Sequence, residues 1–155
     1  MKMTGLGRRM LLWGGAHSVV LLSTAGAEAQ AGVWVVTSQE AALPPSPSSK
    51  AGRAITRGPA IRQVAPAAAV PANQPFMLKV DFAGRGGEKI NPASVQILVL
   101  RGSNVDITSR MKPYVTDKGI EIPNAMVPAG SYALQVSVKD SGGRESLANI
   151  EIEAR

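Results

Sequence analysis

No cysteine occurs in the 155 residues, and the single histidine is His17. The first absence excludes disulfides, thiolate nucleophiles and thiolate-bound metals, so the fold must be held by its apolar core. The second removes the usual general base: beyond residue 17 there is no Ser–His or Cys–His pair to activate a nucleophile. Aromatic side chains make up only 4% of the chain. No window of useful length carries apolar residues at helical spacing.

What is present begins with an N-terminal segment of three parts. Lys2, Arg8 and Arg9 form a basic region, Met10 to Leu22 an apolar stretch broken by Gly14 and Gly15, and Ala27-Glu28-Ala29 an A-x-A cleavage site. In that order they make a secretory signal peptide, residues 1–29. A retained membrane anchor is the rival reading. The apolar run falls short of the ~20 residues a spanning helix needs, and His17 interrupts it, so cleavage after Ala29 is expected, with no membrane span left in the mature chain. Arg8-Arg9 fits a loose twin-arginine pattern, but paired arginines are common in such regions and ordinary Sec export is the simpler expectation. The expected location is periplasmic or secreted.

Charge is unevenly spread. Losing Lys2, Arg8, Arg9 and Glu28 lowers the formal +6 to +4, and Lys50, Arg53, Arg57 and Arg62 against Glu40 place +3 of that in residues 30–75. Residues 76–155 are near neutral. Nucleic-acid binding needs basic side chains gathered on a folded surface, and that pattern is missing.

Residues 30–72 read as an extended linker. Pro44-Pro45-Ser46-Pro47-Ser48-Ser49, Pro59, Pro66 and Pro71 lie among alanines and serines that offer little to bury. Gly32-Val33-Trp34-Val35-Val36-Thr37 is a β-prone island within it, and Ala60–Val64 is a second weak strand.

From residue 73 the pattern changes to period two, which marks strands with one face buried. Phe76, Leu78, Val80 and Phe82 alternate with polar residues, as do Val95, Ile97 and Val99. In the C-terminal part Tyr132, Leu134, Val136 and Val138 are followed, after Asp140-Ser141-Gly142-Gly143, by Ala148, Ile150 and Ile152. Weaker strands lie at Val105–Thr108 and Gly119–Ile122. Short strands at this spacing indicate an all-β antiparallel sandwich of about seven strands over residues 73–155.

Three runs carry a resemblance: Ile90-Asn91-Pro92-Ala93-Ser94-Val95-Gln96-Ile97, Asn104-Val105-Asp106-Ile107-Thr108, and Pro128-Ala129-Gly130-Ser131-Tyr132 continuing through Asp140-Ser141-Gly142-Gly143. This stretch resembles the bacterial immunoglobulin-like domains of exported envelope proteins, of the polycystic-kidney-disease and invasin type. It lacks the Trp-Asp-Phe-Gly-Asp-Gly segment of the former. The resemblance implies an immunoglobulin-like sandwich, and it implies adhesion, spacing or accessory binding rather than one activity. It also implies a tyrosine corner at Tyr132, whose hydroxyl would cap a nearby main-chain group.

Catalysis finds little support. Asp106, Asp117, Glu121, Asp140 and Glu145 could in principle pair as glycosidase carboxylates, but they sit singly in turns or on outward positions. The Asp140–Glu145 turn has two acids, with Arg144 between them, so a calcium loop is not expected. Met77, Met111 and Met126 are dispersed. No catalytic residue, metal ligand or cofactor is therefore assigned. Carbohydrate binding would want flat aromatics beside polar groups, and only Trp34 and Tyr114 are left free by the core pattern.

One strand poses a question. With Val95, Ile97 and Val99 inward, Leu98 and Leu100 face outward beside Gln96. Outward apolar pairs often mark an interface. The expected binding face is therefore Leu98 and Leu100 with Trp34, rimmed by Gln96 and Arg101. Either Val33–Val36 or a partner, an envelope protein, would cover it. The expected function is a non-catalytic module acting by protein–protein interaction or as a spacer. A carbohydrate- or cell-wall-binding module is the alternative.

Overall fold

The alternating apolar residues become the facing surfaces of two sheets. In a computed structural model, which describes residues 31–47 and 57–155, the strands are β1 (Val33–Trp34), β2 (Ala60–Ala65), β3 (Phe76–Ala83), β4 (Ile90–Val99), β5 (Val105–Asp106), β6 (Gly119–Met126), β7 (Gly130–Asp140) and β8 (Glu145–Ala154). Two single-turn helices, α1 (Ser38–Ala41) and α2 (Thr108–Met111), and a 3-10 turn at Lys112–Tyr114 lie between them. The strand orders are β1-β6-β3-β2 and β5-β4-β7-β8. The chain is thus an all-β sandwich, with eight strands among the described residues where about seven were expected. The expected signal peptide, residues 1–29, and residues 30 and 48–56 of the expected linker lie outside the described residues.

Every strand phase read from the alternation is the phase observed. Phe76, Leu78, Val80 and Phe82 face Val95, Ile97, Val99, Tyr132, Leu134, Val136, Val138, Ile150 and Ile152 across one continuous core. At roughly 25 cal/mol per Å² of apolar area, this shared burial is the main stabilising contribution. Two turns show how local chemistry sets the register. At the β7–β8 hairpin Gly143 adopts φ +77, where L side chains are strained, and its N–H donates to the Asp140 carbonyl at 3.0 Å. In β4 the ladder with β7 is interrupted between Asn91 and Gln96, where Pro92 has no N–H to give. Ser94 fills the gap: its hydroxyl donates to the Asn91 carbonyl at 2.7 Å and accepts from the Lys139 N–H at 2.9 Å. The Asn-Pro-Ala-Ser run is a built bulge.

The expected linker is where sequence and structure part. Among its described residues, 31–47 form an arm that straps the two sheets together, and 57–72 form an edge of the sandwich. Val33 and Trp34 pair in parallel with Ala125 and Met126 of β6. Val35 and Val36 then enter the core with 0% exposure. Further on, the Ser46 N–H donates to the Leu100 carbonyl at 3.1 Å, on the other sheet. At the opposite side β2 pairs with β3 and reaches β8 through Gln63. Its side-chain amide donates to the Glu151 carbonyl at 2.9 Å and accepts from the Glu151 N–H at 3.2 Å, as a paired strand would. Val70 follows, with its N–H on the Glu153 carbonyl at 2.8 Å and its carbonyl accepting from the Arg155 N–H at 3.0 Å. The C-terminal part of the outer edge of β8 is thereby covered, which shortens a template for unwanted strand pairing. The folded unit therefore begins well before residue 73. Proline and alanine content signals low intrinsic structure, but these segments are ordered by contacts with residues far along the chain. Among the described residues no helix is long and apolar enough to cross a membrane.

Candidate functional site

The end of the sandwich where β7 begins is organised by Arg101 and Tyr132. Tyr132 is 3% exposed, and its hydroxyl donates to the Ala129 carbonyl at 3.1 Å. Gly130 makes this possible: it sits at φ +138, and a Cβ there would lie 3.2 Å from the Tyr132 hydroxyl oxygen. Burial pushes the Tyr132 hydroxyl above the usual tyrosine pKa, opposed by the positive charge of Arg101.

Arg101 spends its donors on the protein itself. One terminal nitrogen donates to the Ala41 and Leu43 carbonyls at 3.3 and 2.9 Å, the other to the Ser131 carbonyl at 2.7 Å. Its guanidinium lies 5.0 Å from the Tyr132 ring centre, within cation–π range. Arg101, expected as a free polar rim, is instead the clamp between the arm, β7 and the tyrosine corner.

Beside this clamp an open groove of about 770 Å³ runs over the outer face of the second sheet. Its floor is Leu100 and Arg101, Ser131 and Ala133 of β7, and Glu151 and Glu153 of β8; Pro45 forms one wall and residues 63–69 the other. Ser131 lies opposite Glu153, and Ala133 opposite Glu151, so small residues and carboxylates alternate across the floor. Arg155 engages the Glu153 carboxylate at 2.8 Å. The Glu151 carboxylate has no partner among the described residues. Val64, on the wall, is an exposed large apolar side chain.

The five residues expected to form one binding face are divided. Leu100 and Arg101 line the groove, but Leu100 is only 2% exposed, covered where Pro45 and Ser46 cross β4. Leu98 is half-buried and Gln96 exposed on the same strand; neither lines the groove. Trp34, 37% exposed, belongs to the edge of the other sheet. The cover over Leu100 is thus the arm, as the sequence allowed, but its residues are 45–46 rather than Val33–Val36. Tyr114 is half-buried against the core, so the two aromatics considered for a sugar platform are not presented together.

The scattered acids have separate occupations. Glu121 pairs with Lys79 at 3.2 Å and Glu145 with Lys139 at 3.8 Å. The Thr108 side chain and N–H hold the Asp106 carboxyl below its usual range. Asp140 is buried under the hairpin, where Arg144 meets it through the main-chain N–H and Nε, both at 2.9 Å. Burial alone would raise its pKa; these bonds, the arginine charge and the Gly142 N–H together lower it. The cation at this turn is therefore the side chain of Arg144. Among the described residues no group of three or more His, Cys, Asp or Glu is placed to hold a metal ion.

Two residues that the sequence did not single out prove important. Arg110 donates to both Glu40 carboxylate oxygens at 3.0 Å and to the Val35 carbonyl at 3.2 Å. Glu40 also accepts from the Thr37 N–H at 2.8 Å, while Thr37 Oγ1 accepts from the Glu40 N–H at 3.3 Å, a capping box that shapes α1. Burial tends to raise the Glu40 pKa, but the Thr37 N–H and Arg110 outweigh it and the net shift is downward. The Thr-Ser-Gln-Glu signature was readable as a helix start, but its ion-pair partner, seventy positions away, was not.

The chain matches no protein-family model and no curated protein sequence. Among solved structures it is similar to the crystal structure of CopC from Methylosinus trichosporium OB3b, at 18% identity and a TM-score of 0.39, over 61% of this chain and 93% of that one.

Proposed function

We propose that this chain is an exported, non-catalytic module of the bacterial envelope, of immunoglobulin-like design, that works by holding a protein partner in the groove over Ala133 and Glu151. The observation that carries this reading is how the groove is built. Its floor is a paired stretch of β7 and β8, and both walls are tied down by main-chain hydrogen bonds, so the surface is preorganised before a partner arrives. Its volume and its floor of paired strands suit an extended segment of polypeptide. On the wall at residues 67–69 the exposed main chain has no hydrogen-bond partner among the described residues and offers donors and acceptors to such a segment.

Capture of partners from envelope extracts by the mature protein, compared with the Ala133→Arg variant, tests the reading. The arginine fills the groove from its floor without entering the core, and is expected to lower capture at least tenfold while the denaturation midpoint stays within a few tenths of a molar of urea. Capture unaffected by Ala133→Arg removes the site from the groove. Co-sedimentation with insoluble polysaccharide that survives the same substitution would favour the carbohydrate alternative. Export is tested separately by intact mass: the exported protein is expected to begin at Gln30, and a mass retaining residues 1–29 points to an anchored chain.

A further inference from the structure

The two rows that make the floor of the groove differ in charge. One row is Ser131 with Glu153, the other Ala133 with Glu151. Cations stand on the first: Arg155 engages the Glu153 carboxylate at 2.8 Å, and Arg101 donates to the Ser131 carbonyl at 2.7 Å. The second row has no such cation among the described residues, and its main chain is already committed. The Leu100 N–H donates to the Ala133 carbonyl at 2.9 Å, and the Gln63 amide holds both main-chain groups of Glu151. What remains is the exposed side chain of Glu151, the one ionised group of the lining with no partner among the described residues.

The wall sets the direction in which an occupant would run. Gln63 is fastened at Glu151, and the Val70 N–H donates to the Glu153 carbonyl at 2.8 Å. Residues 67–69 therefore pass from one row to the other alongside β8, and Val70 bridges Ala154 in parallel. An extended segment that follows this wall runs with the strands. Its alternate residues, about 6.8 Å apart, fall on successive rows, which repeat at the same distance.

We infer, on the reading that the groove holds the partner, that the held segment is an extended stretch with a lysine or arginine over Glu151 and an uncharged residue two positions away, over Ser131 and Glu153. A cation over Glu151 meets an unpaired carboxylate, whereas one row away it meets Arg101 and Arg155. An acid over Glu151 meets like charge. Glu151 thus sets both the sign and the register of the occupant.

Two capped heptapeptides test this: Thr-Thr-Val-Lys-Val-Thr-Thr, rich in β-branched residues that favour an extended chain, and its counterpart with Glu in place of Lys. Each is titrated into the isotope-labelled mature chain, and the amide shifts of residues 67–69 and Ala133 read occupancy. The Lys peptide is expected to bind at least tenfold more tightly than the Glu peptide, by a ratio that shrinks as salt is raised. Glu151→Gln should bring the two within twofold of each other, and Glu151→Lys should reverse the order. The Glu151 side chain lies outside the core and Gln63 holds only its main chain, so both variants are expected to keep the wild-type denaturation midpoint. Equal affinity for the two peptides, no binding of the Lys peptide, or a preference unchanged by Glu151→Gln overturns the inference. Ala133→Arg separates that failure from failure of the groove itself. If it blocks two peptides that the wild type binds equally, the groove stands and the basic preference falls. Lys-peptide binding that survives Ala133→Arg removes the site from the groove, and the inference with it.

Discussion

The Arg101 guanidinium lies 5.0 Å from the centre of the Tyr132 ring, while the Tyr132 hydroxyl donates to the Ala129 carbonyl at 3.1 Å. The ring is thus fixed from its face and from its tip. Tyr132→Phe keeps the stack and loses only the hydroxyl bond, so its expected cost is about 1 kcal/mol in urea denaturation. Arg101→Ala loses the stack and releases the Ala41, Leu43 and Ser131 carbonyls, and is expected to cost more, roughly 2–3 kcal/mol. Equal effects would mean that Arg101 does not join the arm to the corner.

Val36 separates the observed fold from a linker. A valine in an extended tether could be cut to alanine at no cost. Val36 has 0% exposure, and Val36→Ala is expected to cost roughly 1–3 kcal/mol by lost burial and a residual cavity. Val136→Asp places an unpaired charge at the middle of β7 and is expected to abolish cooperative folding. Circular dichroism melts of the two variants read both effects.

Leu98 and Leu100 face the same side of one strand and should nevertheless respond differently. Leu98→Ser affects a half-buried position, and a loss below about 1 kcal/mol is expected. Leu100→Ser removes an almost fully covered side chain from beneath the arm and is expected to cost roughly 2–3 kcal/mol. Chemical denaturation of the single variants checks the order, and the reverse order would place the arm elsewhere.

Acid should loosen the arm. The Glu40 carboxyl is lowered in the folded protein, so its contribution is fully present above the ordinary carboxylate pKa of about 4.3. That contribution is lost as pH falls through the lower folded value. Asp140 has the same sign at the hairpin. Stability is therefore expected to decline below about pH 4, with Trp34 fluorescence reporting the arm. Glu40→Gln should be less stable at neutral pH and show a shallower acid decline. An unchanged acid limb would assign it to other carboxylates.

The sequence by itself determined the sandwich, the inward face of each long strand, Tyr132 included, and the Gly-Gly hairpin. Each is set by neighbours within a few residues: period-two alternation, and glycine at positive φ. Tertiary structure decided what happens to the segments without such a pattern. Val35 and Val36 are adjacent, so no alternation announces their burial, and the Ala/Pro-rich flanks conceal both the arm and the edge at β2. Leu100 was legible as an outward leucine, but its cover at Pro45–Ser46 became visible only once the chain had returned across it. Arg101 read as a surface cation because its acceptors are main-chain carbonyls, which every residue carries and no side-chain pattern reveals. The groove follows the same logic. Its floor of Ala133, Glu151 and Glu153 was readable as the polar side of two strands, but a groove needs walls, and the walls come from residues 45 and 63–69, placed by hydrogen bonds to partners as many as 88 positions away. Local periodicity fixes which side of a strand is wet; only the closing of distant segments fixes what stands over it.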